Sequence, residues 1–417
     1  MTPESYLAFL RSKIPQAEVC GFEPPSAPHP SLFPHQVDIA TWMIRGGRRA
    51  GFANFGLGKT RINLQVASWI VEKTGGKFLI IAPLGVRQEF TLSDGPAMGL
   101  RIEYVTSNED VAASTASILI TNYERVRDGG IDLDQFVGVA LDEASVLRSY
   151  GSKNYQAALK WGRKVRYRFV YTATPSPNRY KELIHYAAFL GVMDSGEALT
   201  RFFQRDSEEA GNLTLYPHME KAFWAWMASW AVFIPKTSDL GYSDEGYDLP
   251  ELNVHWHRVE VDHTKAWGQS DSWGQHQLFM DDAAGLAQSA KTKRDSISLR
   301  VGKACDIMAG EPADRHWLIW HDLEDERREI EREVADVKTV YGSQDLEERE
   351  NLIMGFSRGE YAKLATKPSI AGSGCNFQRH CADAIFLGVG YKFNDFIQAI
   401  HRIHRFQQKR QVNIHIV

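Results

Sequence analysis

Short continuous apolar runs recur along the chain, each closed by polar, Gly or Pro residues. In the first half they are FLIIAP (78–83), SILITN (117–122), VGVALDEA (137–144) and RFVYTATP (168–175). Runs of this length without strict alternation fit strands covered on both faces. Stretches of helical period between them, such as RINLQVASWIVEKT (61–74), supply the covers. The pattern predicts an α/β fold with parallel sheets flanked by helices. A stretch rich in turn formers, 232–253, interrupts it. The strand style then resumes in HWLIWHD (316–322), KTVYGS (338–343), AKLATKP (362–368), DAIFLGV (383–389) and VNIHIV (412–417). The charged stretch 322–336 reads as a solvated helix. The expected division is an N-terminal helical and Pro-rich segment (1–31), a first lobe (32–235), a linker (236–252) and a second lobe (253–417). Trp224, Trp226 and Trp230 cluster in FWAWMASW. That spacing reads first as helix packing into a core, with stacking on nucleic acid as the weaker alternative.

Composition narrows the class. The chain has 417 residues, 43% hydrophobic and 24% charged, enough for two domains of ordinary size with substantial cores. Its 48 basic and 52 acidic residues leave a net charge of −4. A surface basic all over is thereby excluded, so any polyanion site is local. Cys20, Cys305, Cys375 and Cys381 form no CxxC pair, which excludes a zinc ribbon or disulfide framework and suits a reduced, cytoplasmic protein. The N-terminus carries charge too early for a signal peptide. No apolar run approaches the ~20 residues of a membrane span, so no membrane partner is expected.

Four places carry candidate chemistry. Gly56-Leu57-Gly58-Lys59-Thr60 precedes a helix. Glycines let backbone N–H groups converge on phosphate, the helix N-terminus faces it with positive charge, Lys59 reaches the β/γ-phosphates and the Thr60 hydroxyl suits Mg²⁺. The first glycine of the usual phosphate-loop spacing is absent, since position 53 is alanine. Asp142 and Glu143 end an apolar strand, where one carboxylate can hold Mg²⁺ and the other can polarise the attacking water. We give Asp142 the first role and Glu143 the second. Thr172 and Thr174 close another strand in TATP, a hydroxyl pair suited to coupling the acids to a neighbouring lobe. Arg402 and Arg405, three apart in QAIHRIHRFQQ, would share a helix face and could stabilise charge on a transferring phosphoryl group.

The ordered set resembles the superfamily 2 helicases and translocases, most closely the Snf2-like branch. Ala53 to Thr60 matches the AxxGxGKT form of the first motif at every fixed position. DEAS stands where relatives have DEAH, and TATP is similar to the third motif. Pro177-Asn178 with Lys181-Glu182-Leu183 resembles the segment that follows it. Thr121-Asn122-Tyr123-Glu124 resembles the TTYE block on the DNA side of the first lobe. Ala82-Pro83-Leu84 with Gln88 and Phe90 resembles a neighbouring DNA-contact motif. Phe33-Pro34-His35-Gln36 is similar to the block whose Gln reads adenine. In the second half, Tyr341-Gly342-Ser343, the stretch Ala371–Gln378 and QAIHRIHRFQQ resemble the block after motif IV, motif V and motif VI. The stretch 369–408 looks especially like phage- and prophage-encoded members.

The resemblance implies two RecA-like lobes with an ATP cleft between them. It implies an ATP hydrolase using ATP and Mg²⁺, with duplex DNA as the favoured partner, in the cytoplasm of a bacterial cell or phage-infected host. By residue it implies ATP binding by Gln36, Gly56, Leu57, Gly58, Lys59 and Thr60, and metal binding by Thr60 and Asp142. Catalysis falls to Lys59, Glu143, Arg402 and Arg405, and coupling to Thr172, Thr174, Gly374 and Gln398. Nucleic-acid contacts are expected at Arg87, Thr121, Asn122, Tyr123, Ser343 and Ser373. The basic run Lys160, Arg163, Lys164, Arg166 and Arg168 is a further candidate, against the alternative of a solvated approach to a strand. Two departures stand out. Ser145 replaces a histidine that in relatives links motifs II and III, and Gln407 replaces a glycine after motif VI. Besides a duplex-DNA translocase, two readings stay open: a strand-separating helicase on DNA or RNA, and an ATP-gated nucleic-acid scaffold with little turnover.

Overall fold

The structure is a computed structural model that describes all residues except 1–15, 148–151, 159, 161–163, 177–178, 206–212, 248, 261–292, 313, 372–375 and 389–392. Ser373, Gly374, Cys375, Arg163, Pro177 and Asn178 therefore lie outside the described residues. The chain divides into two compact units, Met1–Tyr247 and Asp248–Val417.

In the first unit, helix α1 (Pro34–Gly46) leads into β1 (Arg48–Ala53) and helix α2 (Lys59–Thr74). Pro34 suits the first turn of α1, where no intrahelical N–H partner is needed. Both helices stop at glycines in the left-handed region, Gly47 at φ 74° and Gly75 at φ 69°. The apolar runs then form β2 (Phe78–Ala82), β3 (Ile102–Tyr104), β4 (Ile118–Asn122), β5 (Gly138–Leu141) and β6 (Tyr167–Tyr171). A small hairpin, β7 (Phe203–Arg205) with β8 (Leu213–Leu215), helix α3 (Glu220–Ala228) and β9 (Ala231–Ile234) complete the unit. The main sheet runs β3-β4-β2-β5-β6-β1-β9, with every pairing parallel.

Both faces of this sheet are covered. One packs Ile80, Phe169 and Tyr171 against Met43 of α1 and Leu64 and Trp69 of α2. The other packs Leu79, Val139 and Val170 with Phe189, Trp226 and Trp230. The tryptophan cluster is thus mainly core: Trp226 and Trp230 are fully buried, and Trp224 packs its ring edge-on against Tyr180 at 5.3 Å.

The second unit begins with β10 (Leu252–Trp256), followed by helix α4 (Ile297–Ala309), β11 (Trp317–Trp320), α5 (Glu324–Glu333) and β12 (Lys338–Val340). Then come α6 (Leu346–Arg358), β13 (Lys363–Thr366), β14 (Asp383–Phe386), α7 (Phe393–Ile400) and β15 (Val412–Ile416). Its sheet order is β10-β15-β14-β11-β13-β12, again all parallel. Leu318, Trp320 and Leu364 pack against Phe356 of α6 and Ala399 and Ile400 of α7. Trp317, Ile319 and Ile385 face Ile297 and Val301 of α4 and Ile330 of α5. Both units are therefore parallel sheets sandwiched by helices, as the apolar runs predict.

One expectation needs correction. Helix α5 is solvated along much of its length, with Arg327 bridging Glu324 and Glu331, yet its Glu326 is completely buried. Its Oε1 meets Arg300 Nη1 of α4 at 2.7 Å, while Oε2 accepts from the N–H groups of Asp322 and Leu323. This ion pair joins two helices on one face of the sheet. Removing either partner alone would strand a buried charge, at a cost of about 3–5 kcal/mol. Net-charge patterning does not reveal such a pair, because the partner lies on another element.

Candidate functional site

The Gly56–Thr60 loop connects β1 to α2 at the carboxyl end of the first sheet. Gly56 and Gly58 adopt φ of 83° and 80°, a region that disfavours other residues, so the glycines are required by the turn itself. A Cβ on Gly58 would lie 2.1 Å from Gln36 Nε2, which excludes any side chain there. Gln36 is buried beneath the loop, donating from Nε2 to the Leu57 carbonyl at 3.2 Å and accepting from the Phe33 N–H at 3.1 Å. The structure therefore brings Gln36 to the loop, although they are separated in sequence by all of β1. His35 supports the same carbonyl, with Nε2 3.3 Å from Leu57 O, and Tyr247 packs its ring edge-on against His35. Neither was among the expected site residues. For His35 the only signal was its place beside Gln36.

Lys59 begins α2, and its Nζ donates back to the carbonyls of Ala53 at 3.0 Å and Asn54 at 3.3 Å. The ammonium is thus held over the loop, and Thr60 follows it in the first turn. Backbone N–H groups in a helix's first turn lack intrahelical acceptors, and the helix dipole adds positive charge. The loop's glycines, Lys59 and α2 together form a cradle for a phosphate chain.

Parallel pairing brings the acids to the same sheet edge. β1 and β5 both flank β6, so the residues after each strand emerge side by side. Asp142 follows β5, its N–H donating to Ile81 O at 2.8 Å and its carbonyl accepting from the Tyr123 hydroxyl at 2.7 Å. Burial, and then the charge of Glu143, push the Asp142 carboxyl well above the usual carboxylate range, against the pull of the Lys59 ammonium. Lys59 is therefore close enough to act on Asp142. Glu143 is buried, with φ 47°, a left-handed backbone costly for a non-glycine residue. Its Oε2 is buried without a hydrogen-bond partner among the described residues. A strained backbone presenting an unsatisfied carboxylate oxygen has no packing explanation, and such strain clusters where function needs it.

After β6, Thr172 is fully buried and its Oγ1 accepts from the Thr174 N–H at 3.2 Å. Thr174 Oγ1 is itself buried and unpartnered among the described residues. The structure thus gathers Gln36, Gly56, Leu57, Gly58, Lys59, Thr60, Asp142, Glu143, Thr172 and Thr174 at one edge. The donor set fits Mg²⁺: a hydroxyl at Thr60 and a carboxylate at Asp142 are hard oxygen ligands.

The expected nucleic-acid contacts fare differently. Thr121, Asn122 and Tyr123 are buried, and their side chains are spent within the unit. Thr121 donates to Val105 O at 2.7 Å, Asn122 caps the following turn by accepting from the Arg125 N–H, and Tyr123 holds Asp142. Their side chains support the strand ends from inside and present no polar groups to an external polymer. Arg87 lies over the Tyr104 ring at 4.6 Å, and Ser343 is exposed. In the basic run Arg168 is buried, donating to Phe189 O at 2.9 Å, and Lys164 pairs with Asp134.

In the second unit, the shared helix face for Arg402 and Arg405 needs correction. Helix α7 ends at Ile400, and Arg402 N–H and Ile403 N–H bond carbonyls three residues back, in tighter turns. Arg402 is buried, with Nε donating to the Gln398 carbonyl at 3.1 Å, and Gln398 is buried beside it. The Arg402 carbonyl accepts from the Phe377 N–H and the Phe406 carbonyl from Gln378 Nε2, so the motif V and motif VI stretches pack together. Gln407 has φ 72°, the left-handed conformation that a glycine would hold freely. The next residue locks this turn: Gln408 Nε2 donates to Cys381 O and Ile403 O. Gln407→Gly is therefore expected to stabilise the protein by about 1 kcal/mol, seen as a thermal midpoint raised by about 2–4 °C. An unchanged or lower midpoint would remove strain as the account of this turn.

No protein-family model matches the chain, and no curated protein matches it. Solved structures do. The Sulfolobus solfataricus SWI2/SNF2 ATPase core in complex with dsDNA is similar over 95% of this chain and 89% of its own, with 18% identity and a TM-score of 0.45. The Sulfolobus solfataricus SWI2/SNF2 ATPase core domain is similar over 97% of this chain and 89% of its own, with 17% identity and a TM-score of 0.45. Among the described residues, no helix is long and apolar enough to cross a membrane.

Proposed function

We propose that this protein is a nucleic-acid-stimulated ATPase of the Snf2-like kind that uses ATP and Mg²⁺ to move along duplex DNA. The observation that carries the hydrolytic part is Glu143, strained and with an unpartnered buried oxygen, beside Asp142 at the sheet edge that bears the Gly56–Thr60 loop. Gln36 and the loop bind and orient the nucleotide. Lys59 exchanges its own-loop carbonyls for phosphate oxygens, a swap of neutral for charge-assisted contacts. Thr60 and Asp142 would hold Mg²⁺, which when bound neutralises phosphate charge. Glu143 orients and deprotonates the attacking water. Arg402 and Arg405 keep the role the sequence resemblance implies, stabilising charge on the transferred phosphoryl group.

The choice of duplex DNA rests on the Snf2-like character of the motifs, with Arg87, Ser343 and Ser373 as proposed contacts. A localised track suits a chain of net charge −4, because a motor gains little from general basicity. Phosphate release from ATP tests both parts at once, measured with Mg²⁺ against duplex, forked and single-stranded DNA and single-stranded RNA. Stimulation led by duplex DNA supports the proposal. Stimulation by RNA but not by duplex DNA refutes the track.

A further inference from the structure

One buried polar group at this sheet edge has no part in the scheme above. Tyr171 is the last residue of β6, the strand between the acid-bearing β5 and the loop-bearing β1. Its side chain is fully buried, and its hydroxyl has no hydrogen-bond partner among the described residues. Leaving a phenol unsatisfied costs about 1–3 kcal/mol, and a plain phenylalanine would avoid the cost.

Register shows what the ring lies beside. Leu141 pairs with Val170, which sets the next residues, Asp142 and Tyr171, next to each other across β5 and β6. On the other side Tyr171 pairs with Gly51 of β1. A Cβ added at Gly51 would stand 3.4 Å from Tyr171 Cδ1 and 3.3 Å from Met43 Sδ. The glycine thus leaves room for the ring to lie flat over the strand that leads into the phosphate loop. Burial, and then the charge on Asp142, push the phenol well above its ordinary range, so it stays a proton donor and feels that carboxyl.

We propose that Tyr171 is a positioning residue for Asp142, its hydroxyl donating to the ionised carboxylate and setting the orientation in which Asp142 holds the Mg²⁺–nucleotide. The proposal rests on the ATPase reading above. Its logic is that the unspent donor and the carboxyl that burial keeps from ionising satisfy one another only when binding ionises Asp142. A hydrogen bond to a charged acceptor is roughly twice as strong as a neutral one, so the phenol lowers the cost of that ionisation. Outer partners of this kind are commonly worth about 10–100-fold in metal affinity.

The test is calorimetric titration of Mg²⁺ with a non-hydrolysable ATP analogue into the full chain and into Tyr171→Phe, between pH 6 and pH 8. The variant removes a single oxygen that makes no bond, so its thermal midpoint is expected to stay level or rise. The wild type is expected to bind. Tyr171→Phe is expected to bind about tenfold more weakly at pH 7 and to lose affinity more steeply as pH falls, because its Asp142 is harder to ionise. Equal affinity at every pH overturns the positioning role and leaves the nucleotide site standing. Failure of the wild type itself to bind overturns the ATPase reading, and the role of Tyr171 with it.

Discussion

Lys59→Ala is expected to abolish ATP turnover, lowering it by at least about 10²–10³-fold, the loss typical of removing one preorganised electrostatic contact. The Lys59 ammonium is a charge held at the centre of the loop. It rests on two carbonyls, Ala53 and Asn54, and adds no other polar contact needed to shape the turn. The turn depends instead on Gly56, Gly58 and the Gln36 contact to Leu57. Stability should accordingly change within about 0.5 kcal/mol, as for a surface substitution. Loss of turnover with an unchanged melting midpoint assigns the effect to chemistry. Turnover within a few-fold of the wild type would show that the loop does not handle the phosphates.

Glu143→Gln is expected to lower turnover by about 10²–10⁴-fold while nucleotide binding stays within a few-fold, the pattern for a lost general base. The amide keeps the shape and removes the charge. It also removes the neighbouring carboxylate that helps keep Asp142 protonated, so Asp142 should ionise more readily in the variant. Binding of Mg²⁺–nucleotide should therefore weaken less at acid pH than in the wild type. Steady-state phosphate release and a binding titration on the same preparation check both halves. Full turnover in Glu143→Gln would leave the strained, unpartnered carboxylate without a function.

The sheets were legible because a parallel sheet buries both faces. FLIIAP, SILITN and RFVYTATP contain little but apolar residues, and each forms a strand with helices on either side. The phosphate loop was legible because its glycines must lie together to make one turn, and Asp142 and Glu143 because they end such a strand. Long-range effects were not. Thr121, Asn122 and Tyr123 look like an exposed polar block in sequence, but β4 is an inner strand and turns them inward. Helical spacing at Arg402 and Arg405 suggested a continuous helix. The contacts of Gln408 with Cys381 and Ile403 instead stabilise a turn sequence after Ile400. Glu326 reads as one more surface acid because Arg300 lies on another helix. His35 and Tyr171 join the candidate site through packing and register, neither of which local composition encodes.

The central claim is that this chain couples ATP hydrolysis to duplex DNA, and the most direct measurement is the rate of phosphate release from Mg²⁺–ATP with and without a duplex. The account predicts a slow basal rate raised at least about tenfold by duplex DNA, with the whole of it lost in Lys59→Ala. No phosphate release with any DNA or RNA would contradict it.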